Sequence, residues 1–465
     1  MKKNKFIIAA LLSGFTFLSC DSDLDIAPQD QLTQDVAFSN ETLARGVLAG
    51  AYSAAQQDDV LNGTWQLAGD WQADNIDFEG SFPTFQEVRD YSTLSDNTSI
   101  SGMWDDNYET IGTANLVIKN VPTVADPNFT DAEKNNVVAQ AKFIRALVYF
   151  NMSNWFAQPL QVSGGTNLAV PLVLEPFDGN VTNPPRATLN EVQAQIEQDL
   201  LDAIMFLDDT DNSVATLGAA QGLLARLYLY QEKWSQAAGL ANDVINNSAY
   251  ALATDYTFYN TQDREFLFTL VNTAADGQDS GQGFSGLSNP VPEGRGDAPF
   301  SDNLIAAFNA EPGDLRFSTL TQTGTDAQQN AGRIFSSKYP DGVTNADNAP
   351  VLRITEMYLT RAEANFRGGT TTGDTPLNDI NRLRARAGLA DLTSVTLDDI
   401  LNERRKELCF EGHRRMDLLR NGDNLRRPGM ANVAESAPGA NKVIFPIPVN
   451  QVDLSEGTLE QNPGY

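Results

Sequence analysis

The sequence predicts a mainly α protein: tetratricopeptide-like helical hairpins build an α-superhelix scaffold, and long irregular loops carry the ligand site. Three observations predict this. Residues 218–248 place Leu224, Ala225, Tyr228, Trp234, Ala237, Ala241 and Val244 at the tetratricopeptide spacing. Further helical stripes, Leu43, Val47, Leu48 and Tyr52, then Ile354, Tyr358, Ala362 and Phe366, suggest more copies of the hairpin. Two stretches, 62–104 and 272–300, have no helical period and are rich in turn-forming residues.

Taken in order, the chain opens on a charged run, Met1-Lys2-Lys3-Asn4-Lys5, and an apolar run over 6–18 that is too short to span a bilayer comfortably. Phe17-Leu18-Ser19-Cys20 resembles a lipobox, with Phe17 a loose fit to the usual aliphatic residue. The expected organisation is a signal peptide over 1–19, a lipidated Cys20 with a tether over 20–38, and a single domain over 39–465. That domain divides into parts of about 39–250 and 251–465. Only Cys20 and Cys409 exist, so a lipidated Cys20 leaves no intramolecular disulfide.

Length and charge bound the rest. A chain of 465 residues with 41% hydrophobic content buries a substantial core, as one domain or two interlocked lobes. Its formal charge of −29 repels nucleic acid and anionic membrane faces.

Helical signals begin at Ser39. Residues 108–120 and 131–156 read as a hairpin around the Pro122–Pro127 loop, with Thr130 and Glu133 forming a capping box. Thr188-Leu189 opens a helix reaching Leu207. After the 218–248 hairpin, 265–271 has strand character. Ile354 to Phe366 pairs with a helix that Thr375 caps, Pro376 starts and Gly388 ends.

The next helix starts at the Thr396/Asp399 capping box and runs to Gly412. Arg404, Glu407 and Glu411 fall on or beside its apolar stripe of Leu397, Ile400, Leu401 and Leu408. Buried charges are costly unless paired. A structural clasp is therefore expected, with Arg404 held by Glu407, Glu411 or an acid from another helix. A Glu/Arg/His active site is the competing reading, and His413 is the chain's one histidine.

The run Glu403-Arg404-x-x-Glu407-Leu408-x-Phe410-Glu411-Gly412-x-Arg414-x-x-Asp417-Leu418-x-Arg420 resembles the C-terminal signature of the SusD/RagB family of Bacteroidetes nutrient-binding lipoproteins. Phe445-Pro446-Ile447-Pro448 and Gln461-Asn462-Pro463-Gly464-Tyr465 resemble its closing motif. Ala141-Lys142-Phe143-Ile144-Arg145-Ala146-Leu147 and Asp25-Ile26-Ala27-Pro28 resemble two earlier ones. The resemblance implies surface display after Cys20, a SusC-like TonB-dependent outer-membrane transporter as partner, and a ligand held by loops on the helical scaffold.

No phosphate loop, dinucleotide fingerprint, nucleophile elbow or zinc cluster is present. With 61 acids, a carboxylate pair for glycoside hydrolysis is easy to propose and means little. Asp70, Asp74, Asn75, Asp77 and Glu79 form an acid cluster that is a candidate Ca²⁺ site without EF-hand spacing. Binding is the better reading. Sugars need aromatic platforms edged by hydrogen-bonding groups, and the irregular stretches hold both. Trp65, Phe82, Phe85, Gln86, Tyr91, Phe284 and Arg295 are the candidate glycan contacts, although large rings under polar loops also serve as core plugs. Trp104 and Tyr108 are assigned to the core. The expected function is glycan capture without catalysis. A peptide-binding member of the same architecture is the alternative, and a glycosidase a distant third.

Overall fold

A computed structural model gives the fold and describes residues 33–279, 281–326 and 329–465. The expectations for the signal segment, Cys20 and the Asp25-Ile26-Ala27-Pro28 leader lie outside those residues.

Helices dominate, as the stripes predict. α1 (Glu41–Ala55), α2 (Thr64–Gln72), α3 (Pro83–Arg89), α4 (Thr98–Asn120), α5 (Asp131–Phe156) and α6 (Leu189–Ile204) precede the repeat hairpin of α7 (Leu217–Tyr230) and α8 (Trp234–Asn246). After the short α9 (Gly283–Ser288) come α10 (Ile354–Gly368), α11 (Pro376–Arg386), α12 (Leu397–Leu408) and α13 (Arg414–Leu419). Packing passes from α1 to α4, α5, α6, α7, α8, α10 and α11 in a continuous layer. Side-chain caps start most of these helices. Thr130 with Glu133, Thr188 with Glu191 and Thr396 with Asp399 form capping boxes, each cap contributing about 1 kcal/mol. In the repeat hairpin, Ala219, Ala220, Ala237 and Ala241 are fully buried and let α7 and α8 approach closely. Tyr228 is buried in this hairpin as expected, whereas Trp234 is only half-buried, with the Arg367 guanidinium 5.3 Å from its ring centroid.

Three antiparallel two-stranded sheets close the loops: β1 (Leu168–Pro171) with β2 (Arg186–Thr188), β3 (Phe266–Leu270) with β6 (Ala349–Arg353), and β4 (Thr321–Thr323) with β5 (Ile334–Ser336). β3 is the strand expected at 265–271, and all five of its residues are buried. One hydrophobic core runs from Ala44 to Ile447.

Two expectations need correction. Residues 62–104 are not wholly irregular, because α2 and α3 lie within them, with Pro83 at the first position of α3. Gly412 does not end α12, which stops at Leu408. The chain then turns through Phe410 at φ 64 and Gly412 at φ 81. A Cβ on Gly412 would sit 3.0 Å from Gln66 Cβ, so glycine here permits the close approach of α2.

α4 is the second longest helix among the described residues, after α5. Its 23 residues span roughly 33 Å at 1.5 Å per residue. At its start Asn97 Nδ2 donates to Thr84 O in α3, and at its end Gln34 Nε2 donates to Asn120 Oδ1.

Candidate functional site

The two irregular stretches meet. Asp77 N donates to Pro299 O at 3.1 Å and Glu79 N to Asp297 O at 2.9 Å. Gly80 makes the contact possible, because a Cβ there would lie 2.3 Å from Phe78 Cζ and 2.8 Å from Asp297 Cγ.

Phe82 and Arg295 face each other across this seam. Phe82 is 44% exposed, immediately before Pro83, and its ring stacks on Phe85 at 5.8 Å and 30°. The Arg295 guanidinium lies 4.5 Å from the Phe82 centroid, and its Nε is 2.7 Å from Asp297 Oδ2. Burial pushes the Asp297 carboxyl up, and Arg295 opposes it. The arrangement is a ring packed against a core aromatic and overlaid by a paired cation. Nearby, Arg333 from the β4–β5 turn pairs with Asp77 at 3.2 Å and Glu79 at 3.0 Å. Arg333 was not legible as a site residue; the only signal was the polar, glycine-bearing run before it.

The other candidate rings are core plugs. Trp65 is 2% exposed, Phe85 3%, Tyr91 4% and Phe284 1%. They belong to an aromatic interior where Trp65 meets Phe85 at 6.1 Å, Trp155 at 6.0 Å and Phe445 at 5.3 Å. Phe284 stacks on Tyr339 at 4.3 Å, and Tyr91 OH donates to Gln72 O. None presents a face to a ligand outside the molecule. Gln86 is half-buried and spends its amide on Gly80 O at 2.9 Å, holding the loop. Trp65 and Phe284 do line an inner cavity with Tyr230, His413 and Asn154. Its volume of about 70 Å³ holds a few waters, well short of the roughly 300 Å³ of a ligand pocket.

The acid cluster does not converge on a cation. Arg414, Arg405 and Arg427 surround Asp74, Arg333 takes Asp77 and Glu79, and Asn75 donates to Asp70. Asp74, Asp77 and Glu79 are thus each paired with arginine. Among the described residues no group of three His, Cys, Asp or Glu side chains is placed to hold a metal.

The clasp is present, and Arg404 is held by the third of the expected partners, acids from other helices. Its Nε bonds Asp417 at 2.8 Å, and its Nη2 lies 3.6 Å from Glu356 Oε1 and 3.1 Å from His413 Nδ1. Glu407 instead accepts from Arg353, Arg386 and Arg316, and Glu411 from Arg353, Lys338 and Tyr259. All these groups are buried. An arginine always donates, so His413 Nδ1 accepts and the imidazole proton sits on Nε2. Burial first, then Arg226 and Arg404, holds this histidine well below its ordinary value, which makes it neutral. A neutral, buried imidazole among arginines helps to orient the network.

Comparison with known proteins agrees with this architecture. A model described as the SusD family matches residues 307–465, and one described as starch-binding, associating with outer membrane, matches 22–229. A SusD-like protein of Bacteroides ovatus is 26% identical, covering 90% of this chain and 82% of its own. A solved SusD superfamily structure from Bacteroides thetaiotaomicron superposes with a TM-score of 0.83 at 25% identity, over 90% of this chain and 99% of that one. A solved laminarin-binding SusD-like protein gives 0.75 at 26% identity, over 92% and 100%. The chain belongs to the SusD/RagB family.

Proposed function

We propose that the protein is a surface lipoprotein, processed after residue 19 and anchored at Cys20, that captures oligosaccharide or polysaccharide and delivers it to a SusC-like TonB-dependent transporter of the outer membrane. The observation that carries the glycan reading is the Phe82–Arg295 pair: a partly exposed ring on a rigid support, with a guanidinium over it. Sugar C–H faces pack on such a ring, and sugar hydroxyls accept from the guanidinium. Relatives named for laminarin and starch binding support a glucan as ligand. Binding without chemistry fits a site whose acids are paired with arginines. The test is isothermal titration with starch- and laminarin-derived oligosaccharides. Phe82→Ala and Arg295→Ala should each weaken binding, the lost ring by about 1–3 kcal/mol, or roughly 5- to 150-fold, with little change in melting temperature. Unchanged affinity in both variants would remove this seam from the site. Binding to a peptide library with no glycan hit would replace the ligand class.

A further inference from the structure

One end of the helical layer is apolar where a soluble face is expected to be polar. Six of the fifteen exposed large apolar side chains among the described residues, Val36, Leu174, Phe177, Leu201, Met205 and Phe206, gather there. Hydrogen bonds and ion pairs place them. Gln34 bonds Asn120 at the end of α4, and Lys119 pairs with Glu175, two residues before Phe177. Asn136, near the start of α5, donates to Phe206 O, and Lys142 pairs with Asp202. Phe177 is 71% exposed and Met205 64%. A groove of about 210 Å³ runs between Met205, Phe206 and the first turns of α5. Isolated exposed apolar residues need no explanation, but a gathering of this size does.

This is also the end at which the chain arrives from its N-terminus. Twelve residues separate Cys20 from Thr33, and twelve residues reach at most ~40 Å. We propose that this end is a lipid-contact face, which the anchor draws onto the outer leaflet so that Phe177, Met205 and Phe206 enter the interface. The proposal rests on the lipid-anchor reading of Cys20. Within the tether's reach the face meets lipid at high effective concentration, so a contact too weak to hold the free domain suffices. Apolar rings beside lysines whose stems can lie along the interface suit that boundary. Asp35, Asp126, Asp131, Glu133 and Asp178 keep the same end acidic. Attraction therefore comes from apolar insertion, and zwitterionic lipid is favoured over anionic lipid. No helix among the described residues is long and apolar enough to cross a membrane, so the contact is superficial.

The experiment uses the full lipidated chain in phosphatidylcholine vesicles, with one nitroxide label on Phe177→Cys or Met205→Cys. Cys409 is buried and does not compete for label. Val343→Cys, 75% exposed, is the reference. Its loop joins Gln278 through Asn345, beside the far end of α1. Flotation is scored first. In chains that float, the labels at 177 and 205 should show a severalfold rise in the ratio of oxygen to aqueous nickel accessibility, insensitive to salt, while 343 stays aqueous. Labels at 177 and 205 as aqueous as 343 in floating chains overturn the lipid face and leave the anchor standing. Chains that fail to float overturn the anchor reading, and this proposal with it.

Discussion

Glu407→Gln and Arg404→Met form a paired test of how the clasp is wired. Glu407 Oε1 accepts from Arg353 at 2.9 Å and Arg386 at 2.6 Å, and its Oε2 from Arg316 at 3.2 Å. Glutamine keeps the shape, removes the charge and turns an NH₂ toward guanidinium donors. Breaking a buried ionic network in this way costs about 3–5 kcal/mol. Arg404 looks equally central in sequence, yet its loss strands less. Asp417 keeps Arg420 at 2.8 Å, and Glu356 keeps Arg226 at 2.6 Å. Among the described residues Arg404 Nη1 already has no hydrogen-bond partner. Methionine should therefore cost about 1–3 kcal/mol, the worth of hydrogen bonds to charged groups. Urea midpoints and thermal melts of both variants in one buffer decide the matter. An Arg404→Met loss as large as that of Glu407→Gln would refute this wiring. Acid titration adds a sign. Burial raises the Glu407 carboxyl, but Arg386, Arg353 and Arg316 outweigh it and hold it well below 4.5. The stability it supplies is complete above that value and is lost only as pH falls through the depressed folded value. The gap between wild type and Glu407→Gln should therefore persist well into acid before closing.

Other outcomes follow from the same geometry. Phe85→Ala should cost about 3–5 kcal/mol in a chemical melt, because its ring is enclosed by Trp65, Trp71 and Phe78, whereas Phe82→Ala should leave the melt nearly unmoved. Gly80→Ala should cost about 1–3 kcal/mol by overpacking and also weaken glycan binding, since it wedges the seam apart; a crystal structure of the variant would show the shift. Asp59 is raised to about 7, mainly by burial and then by Asp106, against a hydrogen bond from Trp65. Its unfolded value is 3.8, so the cost of ionising it in the fold is absent below about pH 4, grows up to about pH 7 and is complete above that. Asp59→Asn should thus stabilise at pH 8, by at most about 4 kcal/mol, and do little at pH 4; equal effects at both pH values would refute the shift.

The helical scaffold was legible because its signals are local. Thr130 with Glu133 or Thr396 with Asp399 lie within four residues of each other, and the apolar residues of α7 and α8 match the tetratricopeptide spacing. The site was legible only in outline. Composition drew attention to 62–104 and 272–300, and those stretches do meet. It could not distinguish Phe82 from Phe85, because the helix boundary falls between them: Phe82 is the extended residue before α3 and stays at the surface, whereas Phe85 lies within α3 and faces the core. Arg333 lies over 240 residues from Asp77 in sequence, and only the fold brings them together. The same limit applied to Arg404: an acid from another helix was among the expected partners, but only the fold identifies it as Asp417 on α13 and Glu356 on α10.

The pairing of β3 with β6 has a consequence for how such proteins diversify. The two strands staple together the ends of an excursion over 271–348. Length or composition can change in its surface turns without moving α7 to one side or α10 to the other, provided Arg316 and Lys338, which hold Glu407 and Glu411 of the clasp, are kept. β1 and β2 staple the Phe177 loop in the same way. The chain therefore behaves as a fixed frame with two exchangeable inserts. The larger insert is keyed to the frame at Gly80, so a transplant of 271–348 from a relative should fold best when residues 76–86 travel with it.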